Sequence, residues 1–282
     1  MKRAIVGVVV FAACAFGQVV AQKSDSAEES SRRIAALSKQ FVELVKPTKA
    51  EEALRRACNS VSCDSAGLEI QEQSAADNRR RVENMEKVAA AIHAEVDQYI
   101  YDSVDPIAFD VSAVREDIQR VLGSAAYGPV YAFTLTLDKE RQLVVVYMLP
   151  KGPSMGQGAT SVTLRAYAPK GSKVVLASNT GSDMDGYINV QADQLRSPMD
   201  SELWLLVRGK MTGANGPNIR MRIYAYNGMQ FRTVWMPENE WGAFNVQVTE
   251  RGFVVRGSYY RTEKPRNDSY LLAPDGVYRQ TQ

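Results

Sequence analysis

The chain has 282 residues, 45% of them hydrophobic and 23% charged, with one histidine, three cysteines and a formal net charge of +2 at pH 7. This is the composition of a folded globular protein, and it excludes a disordered chain, a disulfide-dense miniature scaffold and a histidine-rich metal carrier. So small a net charge supplies no global field to draw the chain onto nucleic acid or an anionic membrane, so neither is an expected partner.

The first element read from the sequence is a signal peptide over residues 1–21. Lys2 and Arg3 form a basic start, Ala4 to Phe16 is almost wholly apolar, and Val19-Val20-Ala21 places small residues where a signal peptidase cuts. The apolar run of about 13 residues is short of the roughly 20 that a spanning helix needs, and no later run is longer, so no membrane span is expected after cleavage. A competing reading takes Ala12-Ala13-Cys14 as half of a lipoprotein box, with Cys14 lipidated. Without residues 1–21 the basic and acidic residues balance, 32 of each. The address expected is outside the cytoplasm: secreted, periplasmic or in a cell envelope.

Residues 22–125 read as helices. Ile34, Leu37, Phe41 and Leu44 recur at steps of three and four up to Pro47, and Thr48-Lys49-Ala50-Glu51 has the form of a capping box opening a short helix through Ala57. Cys58 and Cys63 follow, and in an oxidising compartment they form the expected disulfide. Residues 59–73 are expected to be a polar loop held by that bridge. A long helix from about Ser74 to Tyr101 presents Val82, Met85, Ala89, Ile92, Val96 and Tyr99 or Ile100, and Arg79-Arg80-Arg81 reads as a solvated face. A last helix starts at Asp110, carries Val114, Ile118 and Val121, and stops at Gly123.

From 126 to 282 the pattern is that of short β-branched and aromatic strands separated by turn residues. Eleven strands are expected, the first over Val130–Leu137, the eighth over Gln230–Met236 and the last over Ser269–Leu272. Part of this half repeats. Arg165-Ala166-Tyr167-Ala168-Pro169-Lys170-Gly171 aligns with Arg222-Ile223-Tyr224-Ala225-Tyr226-Asn227-Gly228, and Gly186 to Gln191 aligns with Gly242 to Gln247. A shorter echo appears at Ala273-Pro274-Asp275-Gly276. Each unit reads strand, glycine turn, strand, loop, strand, strand, which is the strand order of a propeller blade. The resemblance is architectural and covers about 120 residues. Closing a propeller takes at least about four blades, roughly 160–200 residues, more than the β-rich part offers. The fold class expected is therefore α+β: a helical N-terminal region, then an all-β domain of duplicated four-strand units, as a β-sandwich or a partial propeller-like stack.

Chemistry is sparsely marked. His93 lies within the long helix at the edge of its apolar stripe, one turn before Asp97, and reads as an edge-of-core histidine rather than a general base. No Gly-x-Ser-x-Gly elbow accompanies it. The carboxylates Asp183, Asp185, Glu202, Glu238, Glu240 and Glu250 fall near strand ends, but no spacing selects a catalytic pair among them. The run Asn179 to Asn189 has oxygen donors at alternate positions, and Asp183, Asp185 and Asn189 resemble the ligands of a calcium loop turned by Gly186. Gly181 stands where the first carboxylate belongs, so any Ca²⁺ site there is expected to be weak; no other cofactor is expected. Gly152 to Gly158 lacks the Lys-Ser/Thr ending of a phosphate cradle and reads as a loop. Trp204, Tyr224, Trp235, Trp241, Tyr259 and Tyr260 are candidates for a sugar- or peptide-binding face, with most expected in the core.

The function these features support is an exported, non-enzymatic binding or assembly module. It offers loops or an aromatic face to a protein or glycan, and self-association through the helices is the expected route to an oligomer. The rival is an extracytoplasmic hydrolase that cuts a glycan or another polymer with carboxylates. Intact-mass analysis of exported protein should show a mature chain beginning at Gln22. A diacylated Cys14 at the N-terminus would contradict this reading.

Overall fold

The computed structural model describes residues 9–46, 48–49, 52–53, 65–150, 160–180, 187–211, 218–237, 243–258 and 264–281. Among the described residues, three fully described helices precede twelve strands: α1 (Val9–Val45), α2 (Ser65–Ser103), α3 (Val111–Leu122) and a 3₁₀ turn (Gly123–Ala125). The strands form three antiparallel sheets of four, each with its strands side by side in chain order. Sheet 1 holds β1 (Tyr131–Leu137), β2 (Glu140–Pro150), β3 (Thr160–Lys170) and β4 (Lys173–Thr180). Sheet 2 holds β5 (Tyr187–Leu195), β6 (Leu203–Met211), β7 (Asn218–Tyr226) and β8 (Phe231–Trp235). Sheet 3 holds β9 (Ala243–Thr249), β10 (Gly252–Ser258), β11 (Pro265–Leu272) and β12 (Tyr278–Thr281). The α+β class and the repeated four-strand units are those expected, with three sheets where a sandwich would have two.

The layers stack because the two central strands are apolar on both faces. In β2, Leu143, Val145, Tyr147 and Leu149 pack with the helices, while Val144, Val146 and Met148 pack against sheet 2. Alternation of side chains across a strand makes this a direct consequence of the unbroken run. The same holds for β6: Leu203, Leu205 and Val207 face sheet 1, and Trp204 and Leu206 face sheet 3. The order is helices, sheet 1, sheet 2, sheet 3. The outer face of sheet 3 ends the stack with exposed Asn245, Gln247, Thr249, Arg256 and Asn267, which alternate with buried Val246 and Val255. Burying each large apolar side chain contributes about 1.5–3 kcal/mol, against about 0.2–1 kcal/mol for an exposed ion pair. Packing, not surface charge, holds the layers together.

The repeat is out of phase with the sheets. Its first unit runs from β3 to β6 and its second from β7 to β10, so each unit closes one sheet and opens the next. The repeated glycines Gly171 and Gly228 sit in the β3–β4 and β7–β8 turns at φ +63° and +90°, and the echo glycine, Gly276, sits between β11 and β12 at +79°. Side-chain-bearing residues rarely adopt these angles. At Gly228 a Cβ would also lie 2.3 Å from Leu137 Cδ1.

The helical layer follows its stripes. Ile34 and Phe41 of α1 are buried, with Leu37 and Leu44 partly so, and α2 buries Met85, Val88, Ile92, Val96, Tyr99 and Ile100. Asp110 caps α3 by accepting hydrogen bonds from the backbone N–H groups of Ser112 and Ala113 at 2.7 and 3.1 Å. Gly123 closes that helix at φ +50°. Helices and sheet 1 share one hydrophobic core. No helix among the described residues is long and apolar enough to cross a membrane.

Four expectations need correction. Helix α2 begins at Ser65, so residues 65–73 are helical where a polar loop was expected; the run lacks an apolar stripe but contains no helix breaker beyond Gly67. Arg81 is buried rather than solvated, since an arginine's long stem can cover apolar surface. Strand β11 begins at Pro265, four residues early, because Arg266 and Asp268 neutralise each other on its buried face at 2.6 Å. Finally, β12 was not anticipated: only Tyr278 of its Tyr-Arg-Gln-Thr is buried, so it shows no alternation of apolar residues. Cys58 and Cys63 lie outside the described residues.

Candidate functional site

The largest hollows among those described lie in succession along β8, where sheets 2 and 3 meet at their last strands. One, of about 590 Å³, is lined by Trp235, Met236, Pro237, Tyr270 and Tyr278, with Arg266, Asp268, Arg279 and Gln280 as its polar groups. The next, of about 530 Å³, is lined by Arg232–Val234, Met199, Trp204 and the β11–β12 turn from Pro274. Val277 borders both, so the two lie side by side along one groove-like face. Its rim is apolar and accessible: Met236, Met199 and Val277 are 63%, 48% and 41% exposed.

The groove's walls are the ends of the aromatic core between the two sheets. Trp235 meets Phe253 and Tyr270 edge-on, each with ring centroids 5.1 Å apart, and Phe253 stacks on Tyr270 at 5.0 Å. Interlocking rings hold Trp235 in place from behind while part of it stays open to the groove. The Tyr278 hydroxyl donates to the Arg196 carbonyl at 3.0 Å, which turns its ring toward Trp204.

Among the described residues, Asp268 and Asp275 in the groove and Glu202 behind it are each paired with an arginine. Arg232 donates to both oxygens of Glu202 at 2.6 and 2.8 Å, and the Trp204 indole N–H adds a third bond at 2.8 Å. Burial raises the Glu202 pKa, but these bonds outweigh it and the net shift is downward. Asp275 is pulled down by its bond from Arg279. Asp268 accepts from Arg266 at 2.6 Å and from Gln280 at 3.0 Å. A general acid working near neutral pH needs its carboxyl shifted the other way.

A second polar cluster lies between the helices and sheet 1. Arg165 on β3 donates through Nε and Nη2 to the two oxygens of Asp97 on α2, at 2.8 and 2.5 Å, and the Tyr167 hydroxyl donates to Asp97 at 2.8 Å. One turn earlier, His93 Nδ1 lies 2.6 Å from the hydroxyl of Tyr147 on β2. Burial pushes both tyrosines upward. Burial, then the Arg165 charge, depresses His93 from its ordinary 6.5 to about 4. His93 is thus the edge-of-core residue expected, and the cluster bonds the helical layer to sheet 1. Sequence reasoning found His93 and Asp97 but not their partners, because Arg165 and Tyr167 belong to a repeated strand with no catalytic spacing.

The other sequence candidates are dispersed. Asp183 and Asp185 of the calcium loop lie outside the described residues. Asn189 is exposed on β5 at φ +50° and lines a hollow of about 310 Å³ with Arg208 and Lys210, cations rather than further oxygen ligands. Among the described residues no three His, Cys, Asp or Glu side chains gather as a metal set. Trp204 and Tyr224 are core residues, with Trp204 also lining the second hollow; among the described aromatic candidates, Trp235 lines the groove as a partly buried wall. Trp241, Tyr259, Tyr260, Glu238, Glu240 and the run from Gly152 to Gly158 lie outside the described residues. Tyr270 and Tyr278, which complete the aromatic wall, carried no signal beyond being aromatic. No known protein family and no curated protein matches the chain.

His93 gives a pH test with a definite sign. Its folded pKa is below its unfolded one, so protonation favours unfolding: the penalty is absent above pH 6.5, grows as pH falls, and is complete near pH 4. At about 1.4 kcal/mol per unit the full penalty is about 3 kcal/mol. Urea unfolding of the native protein and of His93→Gln, compared at pH 7 and 4.5, should show the native advantage shrinking by most of that amount. An advantage that stays constant would contradict the assignment.

Proposed function

We propose that the protein is an exported, non-enzymatic binding module that takes a segment of an extended polymer, a glycan or a peptide, into the groove along β8 and β12. The export follows from residues 1–21 as read from the sequence. The observation that carries the binding reading is the groove itself: two hollows that share Val277 in their lining, with Trp235 as a partly exposed aromatic wall backed by Tyr270 and Tyr278, and with an amide and paired charges among the lining residues. Flat aromatic faces beside fixed polar groups suit sugar rings or extended peptide side chains, whose apolar faces and hydrogen-bonding edges alternate. The interlocked rings of Trp235, Phe253 and Tyr270 hold the walls still, so little ordering opposes binding.

The pairing of Glu202 and Asp275 with arginines, which draws both carboxyls below their ordinary range, supports binding over hydrolysis. A hydrolase would need one carboxyl kept protonated near neutral pH.

The test is a panel of linear polysaccharides and unstructured peptides titrated against the mature protein. Met236→Asp and Val277→Asp place a charge on the exposed rim and should each lower affinity at least about tenfold, with the melting temperature unchanged. A polymer bound equally well by both variants would refute the groove as the site. Turnover of a bound glycan that is lost in Glu202→Gln would favour the hydrolase instead.

A further inference from the structure

A cavity of about 200 Å³ lies apart from the groove, between α2 and sheet 1. Met85, Ala89 and Ala90 form its helix side, Leu149 and Pro150 its strand side, and His93 supplies a polar atom among these apolar walls. Glu86 and Ser161 also line it.

The hydrogen bonding of His93 fixes what it offers. Tyr147 is fully buried, and its hydroxyl has no hydrogen-bond partner among the described residues other than His93 Nδ1, at 2.6 Å. A buried hydroxyl proton left without an acceptor is costly, so Tyr147 donates and Nδ1 accepts. A ring that accepts at Nδ1 is neutral and carries its proton on Nε2. The imidazole lines the cavity, and Nε2 has no partner among the described residues. The cavity is therefore a mainly apolar, partly open recess in which His93 Nε2–H and the Ser161 hydroxyl are the neutral polar groups, and the Glu86 carboxylate in its lining disfavours an anion. Its size is somewhat above the roughly 150 Å³ of an apolar cavity that binds benzene.

We propose that this cavity binds a small, uncharged, mainly apolar molecule, about the size of a substituted benzene, through one hydrogen-bond acceptor placed on His93 Nε2–H. The acceptor is a neutral oxygen such as a ketone or ether. The site is independent of the groove reading: it belongs to the helical layer and sheet 1, whereas the groove belongs to sheets 2 and 3.

Three probes of similar size separate the elements of the claim. Acetophenone has the body and the acceptor, ethylbenzene the body alone, and benzoate the body with a charge. Titrations of the mature protein followed by amide chemical shifts should show saturable changes around Ala89, Ala90 and His93 with acetophenone. Binding should be at least about threefold weaker with ethylbenzene, and absent with benzoate. Ala90→Leu fills the space from an exposed helical position that favours leucine, and should abolish the response without lowering the melting temperature. His93→Phe should reduce acetophenone to the affinity of ethylbenzene; if that variant does not fold, Ala90→Leu still decides the site. The absence of saturable shifts with acetophenone and ethylbenzene, a response that survives Ala90→Leu, or ethylbenzene binding as tightly as acetophenone would each overturn the proposal.

Discussion

A sheet that is apolar on both faces must be covered twice, and this requirement arranges the whole molecule. In β2 every residue from Gln142 to Leu149 is buried, so sheet 1 needs one cover for Leu143, Val145 and Tyr147 and another for Val144 and Val146. Sheet 2 provides the second and in turn needs sheet 3 for Trp204 and Leu206. Stacking blade-like units in this way ordinarily ends by closing a ring. Here it ends with an amphipathic helical layer on one side and a polar sheet face on the other. Both devices do what capping repeats do in solenoids: they stop a self-complementary stack from recruiting more of itself.

Hydrophobic cover alone does not say where the helices should sit on sheet 1. The bidentate bond from Arg165 to Asp97, reinforced by Tyr167, does. Replacing such a pair with apolar groups can be neutral for stability, but removing one partner leaves a charge in a poorly hydrated place at a cost of about 3–5 kcal/mol. A helix displaced by one turn along the sheet would strand both charges at once. The pair thus selects one docking register among several that bury similar area. His93 and Tyr147 add a second point of registry one turn away. Further along, Lys173 lies 3.7 Å from Asp102 and over the Tyr101 ring, joining the end of α2 to β4.

Much of the fold was legible because its physical causes are local. Glycines at positive φ marked the turns, alternating or unbroken apolar runs marked strands, and Asp110 and Gly123 marked the ends of a helix. The sheet boundaries were less legible, since the repeat joins the end of one sheet to the start of the next. The start of β11 was hidden because Arg266 and Asp268 look like loop residues until they are paired across one face. The groove was legible only through Trp204 and Trp235: its other walls, Tyr270 and Tyr278, come from strands read as shorter or missed, and its rim from the isolated residues Met199, Met236 and Val277. Such a site exists only after two sheets are stacked, and no spacing along the chain records that distance.

The central claim is that the helices are a structural layer of the β stack and not a separate appendage. A chain restricted to residues 126–282 tests it most directly. Without α1–α3, the face of sheet 1 that carries Leu143, Val145, Tyr147, Leu149 and Val174 would be exposed as one apolar patch. The account predicts that this fragment aggregates, or remains compact without a cooperative melting transition. A soluble monomer with a sharp transition close to that of the whole protein would contradict it.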